Sequence, residues 1–121
     1  MFVLYLSTNK DLTLQSPSNQ QVEESLDELL RYTDDPDQKN NGFLVLALEQ
    51  HGVMKTLRPP LLQVLASSYG WFVEHIDQDD VATQTTRNSV SEKDLKVAFE
   101  KFLENITRPD NLLWRNDQET S

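Results

Sequence analysis

Cysteine is absent from this chain of 121 residues, which removes disulfides and every thiolate metal site from consideration. Histidine is almost absent. His51 and His75 are the two present, far apart and without metal-motif spacing, and each reads as a surface or partly packed side chain. The three glycines, Gly42, Gly52 and Gly70, stand singly, so there is no phosphate-cradling loop and no dinucleotide fingerprint. The serine pairs Ser67-Ser68 and Ser89 with Ser91 lack a nucleophile-elbow context, which leaves His75 as a general base with no visible nucleophile. Long apolar runs are missing too: the longest, residues 43–48, covers six positions against the ~20 that a membrane span needs. Residues 1–6 are apolar, but no basic stretch precedes them and no small-residue cleavage site follows, so they read as a first strand.

Positive charge is also scarce. Eleven Lys and Arg face twenty Asp and Glu, for a net charge of −9 and a pI near 4.5. A phosphate backbone demands clustered basic side chains, so this balance argues against direct nucleic-acid binding. It fits two readings: solubility alone, or complementarity to a basic protein partner. A reducing, cytoplasmic location is compatible with the missing cysteines.

What is present reads as one domain over residues 1–115, with 116–121 a frayed tail. Residues 2–6 form a strand, continued after a turn by 12–14. Ser16-Pro17-Ser18 then opens a helix, either with Ser16 as cap and Pro17 in the first helical position, or with Ser18 and Gln21 as a capping box. Val22, Leu26, Leu29 and Leu30 share one face of that helix, and Glu23, Glu24, Asp27 and Glu28 occupy the others. A polar loop over 34–42 leads to a central strand at 43–48, then a turn at Gln50-His51-Gly52 into residues 53–57. Pro59-Pro60 excludes regular pairing at that point. Residues 61–66 fit either a strand or a short helix. Residues 71–76 read as a strand, and 81–86 as a weaker, Thr-rich one. Ser91 with Asp94 resembles a capping box for a last helix whose stripe is Leu95, Ala98, Phe99, Phe102 and Ile106, ended by Pro109. The sum is an α+β domain: a mostly antiparallel sheet of about four to six strands packed by two main helices.

Two acidic clusters draw attention. Asp34, Asp35 and Asp37 form one; Asp77, Asp79 and Asp80 form the other, with Glu74 close by and Glu49 joining if its strand is a neighbour. Asp77 and Asp79 alternate as calcium ligands do, but the glycine and the distal bidentate Glu of a calcium loop are missing, so neither a metal nor any other cofactor is implied. Such clusters serve as solvated turns or as an acidic contact surface for a protein partner. Tyr69, Trp71 and Phe72 are either core or, for an exposed Tyr69 or Trp71, an interface anchor. Trp114, after Leu112-Leu113, reads as core.

The C-terminal string carries a family resemblance. Ala98, Phe102-Leu103, Arg108-Pro109 and Trp114, at the end of a capped helix, resemble the signature of a large family of immunity proteins from bacterial polymorphic-toxin and contact-dependent growth-inhibition systems. The likeness extends loosely over the Ser16-Pro17-Ser18 helix and the 43–57 hairpin and is specific over 95–114. It departs from the family where many members place Thr-Gly before the Arg-Pro and this chain has Ile106-Thr107. The resemblance implies a cytoplasmic, non-catalytic antidote that binds the toxic domain of a cognate effector, commonly a nuclease or nucleic-acid deaminase. The Arg-Pro-Trp string reads as a structural clasp. Partner contact is expected at Asp34, Asp35, Asp37, Glu74, Asp77, Asp79 and Asp80, with monomer and homodimer equally open. The alternative is an acidic adaptor or regulatory subunit that recognises a basic protein segment.

Overall fold

A computed structural model describes residues 2–35, 37, 39–51 and 56–115. Gly52 of the expected Gln50-His51-Gly52 turn and the tail 116–121 lie outside these, whereas Gln50 and His51 are strand and not turn, paired with Leu57 and Thr56. The chain runs β1 (Val3–Ser7), β2 (Asp11–Gln15), α1 (Asn19–Thr33), β3 (Gly42–His51), β4 (Thr56–Ser67), β5 (Gly70–Ile76), β6 (Ala82–Gln84) and, after a short 3-10 turn at Arg87–Ser89, α2 (Glu92–Asn105). The strands form one six-stranded sheet in the order β2-β1-β3-β4-β5-β6, every neighbouring pair antiparallel. The fold is α+β, as the sequence pattern predicts.

Alternation along each strand decides which face is covered. Leu4, Leu6, Leu44, Leu46, Leu62, Val64 and Val73 point to one side, where Val22, Leu26 and Leu29 of α1 meet Leu95, Ala98, Phe99 and Phe102 of α2 in a single core. Phe99 and Phe102 are fully buried, worth roughly 3–6 kcal/mol together at about 1.5–3 each. On the other side Val45, Ala47 and Leu61 cluster with Phe43 and Ile76, and no helix among the described residues belongs to that cluster. Gly42 starts β3 beneath α1 because a Cβ there would sit 2.7 Å from the Ser7 carbonyl and 2.8 Å from Leu29 Cδ1.

Several local alternatives are decided and some expectations corrected. Helix α1 uses the Ser18 cap: Ser18 Oγ accepts the Gln21 N–H at 3.1 Å, and the Gln21 side chain accepts the Ser18 N–H at 2.9 Å. Ser16 instead turns the chain with a positive φ of 48°, and Pro17 lies outside the helix. Residues 61–66 are strand, within β4. The two prolines interrupt pairing without ending the strand: Leu61 pairs with Ala47 and Arg58 with Glu49, so Leu48 alone opposes Pro59 and Pro60 in a bulge, and their peptide bond is cis. The Thr-rich strand shrinks to Ala82–Gln84. Ile106 leaves the apolar stripe: it is 37% exposed and ends α2 in the left-handed conformation, φ 62°, its N–H donating to the Phe102 carbonyl.

The clasp beyond α2 is well determined chemically. Pro109 follows three residues after the Ile106 cap, and the chain folds back so that the buried Trp114 donates its indole N–H to the Pro109 carbonyl at 2.8 Å. Arg108 stacks over the Trp114 ring at 5.5 Å, Thr85 bridges to Trp114, and Asn111 donates to the Asp94 carbonyl at 3.0 Å. Lys101 holds the Asp110 carboxyl below its ordinary range across a 3.2 Å ion pair.

Candidate partner-binding surface

Strand directions separate the acidic side chains that sequence grouped together. The loop carrying Asp34, Asp35 and Asp37 enters the sheet at Gly42, the edge shared with Ser7 and the Ser67–Gly70 turn. Asp77, Asp79 and Asp80 follow the other end of β5. The seven residues of β5 separate the two ends by roughly 20 Å at about 3.3 Å per residue. Glu74 lies between them on the helix-free face, half-buried, its carboxylate accepting from the Gln63 amide and, at 2.8 Å, from the Gln84 amide. Glu49 sits in β3 against Arg58 and is not beside Glu74. The seven residues are therefore three separate features.

At the far end, Asp77 builds its own turn. Its Oδ1 accepts the N–H groups of Asp79 and Val81 at 2.9 and 3.0 Å, and Asp80 adopts a positive φ of 61°. Asp79 and Asp80 point to solvent. A hollow of about 560 Å³ lies between this turn and the end of α2, with His75 in its wall. His75 is a correction: it is 5% exposed, its ring edge-on to Phe102 at 5.9 Å and to Trp114 at 6.3 Å. Strand alternation with Glu74 and Ile76 sends it to the helix side. Burial pulls its pKa below the ordinary histidine value, opposed by Asp77 and assisted by Arg108. Its Nε2 and the hydroxyl of Thr83, directly across the ladder, have no hydrogen-bond partner among the described residues.

The near end combines charge with aromatic surface. A cleft of about 640 Å³ is bounded by the last turn of α1, the β4–β5 turn and the first turn of α2, with Asp27, Arg31, Asp34, Trp71 and Glu92 in its lining. Asp34 caps α1, and its exposed carboxylate has no partner among the described residues. The helix dipole adds its own negative end at that position, so the site favours a cation. Lys96 ties the two helices together beside this cleft, reaching Asp27 at 2.7 Å and Glu92 at 3.6 Å, and the Asp27 hydrogen bond raises its pKa. Trp71 packs against the main core while its indole N–H, buried, has no acceptor among the described residues. Tyr69, at the tip of the adjoining turn, is 76% exposed. That tip is braced: Ser67 Oγ accepts from the Tyr69 N–H at 3.2 Å and from Arg87 at 2.7 Å, and Arg87 also donates to the Gly70 carbonyl at 3.1 Å.

The near end thus offers an exposed carboxylate without a partner among the described residues and an exposed aromatic ring on a braced turn. An exposed aromatic beside polar groups is the composition of interface hot spots, because a tyrosine has only two side-chain torsions to order on docking. Of the residues singled out in the sequence, Asp34, Asp35 and Asp37 belong to this end; Asp35 spends one oxygen on the Asp37 N–H at 3.0 Å. Glu92 and Asp27 lie in helical segments with nothing local to mark them, and reach the cleft only through helix packing. Among the described residues no group of three or more His, Asp or Glu side chains is placed to hold a metal ion, and no helix is long and apolar enough to cross a membrane. No family model matches the chain, and comparisons with curated proteins and with solved structures find no match.

Proposed function

We propose that this chain is a non-catalytic immunity protein that binds and neutralises the toxic domain of a cognate effector, a nuclease or nucleic-acid deaminase. The observation that carries the reading is the cleft beside Asp34, where carboxylates, the end of α1 and the half-buried Trp71 ring converge next to an exposed Tyr69. A toxin that acts on nucleic acid needs a basic cleft, and a basic side chain from such a cleft is matched by the exposed Asp34 carboxylate at the C-terminal end of α1. Net charge −9 steers the encounter over a longer range. The C-terminal resemblance supplies the toxin as partner; the Arg108-Pro109-Trp114 clasp holds α2 and takes no part in contact. Inhibition in this scheme is by occupancy: the acidic face covers the surface that nucleic acid would use.

The test is protection. Cells expressing the effector domain encoded beside this gene should survive when this chain is co-expressed, and the two proteins should co-purify. Continued killing with both proteins present at equal level sinks the proposal, and capture of an extended basic segment of an unrelated protein favours the adaptor reading.

A further inference from the structure

The two edges of the sheet are finished differently. Edge strand β6 is three residues long, and the chain just beyond it is engaged, since Thr85 bridges to Trp114. Edge strand β2 has five residues without proline, lysine or bulge, and its one charged side chain is Asp11 at its start. Four of its five side chains are exposed, including Leu12 at 37%.

The hydrogen-bond phase of β2 shows what the edge presents. Ser16 donates to the Phe2 carbonyl at 2.8 Å, and hydrogen-bonded pairs alternate along an antiparallel ladder. The pairs Leu4 with Leu14 and Leu6 with Leu12 are therefore the bonded ones, and the N–H and C=O groups of Asp11, Thr13 and Gln15 face away from β1. No described residue pairs with them. The strand is bounded at both ends, by the Thr8–Lys10 turn and by the left-handed Ser16.

We infer that this edge pairs with the β2 edge of a second copy, giving a two-fold dimer with a continuous antiparallel sheet. The sequence Asp11-Leu12-Thr13-Leu14-Gln15 is self-complementary about Thr13. In that register Thr13 exchanges hydrogen bonds with Thr13 of the second copy, and Asp11 does so with Gln15, using the outward groups. Leu12 then lies opposite Leu14 of the second copy at the closer, non-bonded spacing, which covers the exposed leucine. Each Asp11 meets an amide. Shifting the centre to Asp11 would oppose two like charges. The contact is small for a stable interface, so association is weak and concentration-dependent. Two chains of charge −9 repel, so added salt tightens the dimer. Toxin binding through opposite charge responds to salt in the reverse direction, which keeps the two proposals separable.

Sedimentation of the whole chain, from about 10 µM to about 1 mM, tests the pairing across the range expected for a small interface. The wild type should shift from monomer to dimer with concentration, at lower concentration in high salt. Thr13→Pro removes the outward N–H at the two-fold centre while sparing the Leu12 and Leu14 bonds to β1, and should weaken dimerisation at least about tenfold. Gln15→Lys sets a cation opposite Asp11 and should tighten it without touching the fold, so the inference stays testable even if the proline variant melts early. A wild type that remains monomeric throughout, a folded Thr13→Pro chain that dimerises as tightly, or a Gln15→Lys chain no tighter than wild type overturns the inference.

Discussion

Replacing Trp114 by alanine separates the two roles that its place in the C-terminal string suggests. The ring is 1% exposed, flanked by His75 and stacked by Arg108, and its indole N–H holds the Pro109 carbonyl at 2.8 Å. Truncating a fully buried tryptophan costs roughly 3–5 kcal/mol through lost burial and the cavity left behind. Trp114→Phe keeps most of the ring volume and loses the N–H, leaving a buried carbonyl without its donor, for about 1–3 kcal/mol. In a domain of this length each kcal/mol moves the melting temperature by roughly 3–6 °C, so the alanine variant should melt at least about 10 °C lower. Circular dichroism against temperature, with urea titration to confirm the order wild type, phenylalanine, alanine, is the assay. The folded alanine variant should still bind its partner with wild-type affinity, because the clasp fastens α2 and does not form the docking cleft. An alanine variant melting within about 2 °C of wild type would refute the placement of Trp114 in the core. A lost affinity at full folding would refute the division between clasp and contact surface.

Ile106→Gly should raise stability by about 1 kcal/mol, since a β-branched residue is strained in the left-handed conformation that glycine adopts freely; a lower melting temperature would contradict the αL cap. His75 has a folded pKa below its ordinary value of 6.5, so the unfolded chain binds the proton more readily. Its contribution is intact above about pH 6.5 and is lost as pH falls below that towards the folded pKa. His75→Leu should therefore melt with a shallower loss between about pH 7.5 and 5.5 than wild type, and an unchanged slope would place the imidazole in water instead.

Local chemistry carried much of this fold into the sequence. Both helices were legible because their starts are side-chain events, Ser18 with Gln21 and Ser91 with Asp94, and their apolar stripes recur at helical spacing. The central position of β3 was legible because a strand covered by neighbours on both sides is apolar nearly throughout. Residues 61–66 were not, because a short buried run has no periodicity that separates strand from helix; pairing with both β3 and β5 settles it. Ile106 fits the helical stripe by spacing, yet the period says nothing of the dihedral at which the helix ends. His75 shows the converse: once residues 71–76 are a strand, alternation alone assigns it to the helix face. The acidic clusters failed for a different reason. Whether Asp34 and Asp77 share a surface depends on which way β5 runs between their loops, and that follows from sheet register, a long-range property. The cleft at Asp34 was half visible, since its loop and the turn at Tyr69 carry polar and aromatic signals, whereas Asp27 and Glu92 arrive only by the packing of α1 against α2.

Docking of the partner at the Asp34 end is tested by calorimetric titration of the neighbouring effector domain into three chains. Asp34→Lys places a cation at a helix C-terminus, where the dipole favours it, so the fold is kept while the cleft loses its negative balance. It should weaken binding by about tenfold or more, and Asp79→Lys, roughly 20 Å away along β5, should change it by less than about threefold. Affinity unaffected by Asp34→Lys and lost with Asp79→Lys would contradict the claim and move the docking surface to the opposite end of the sheet.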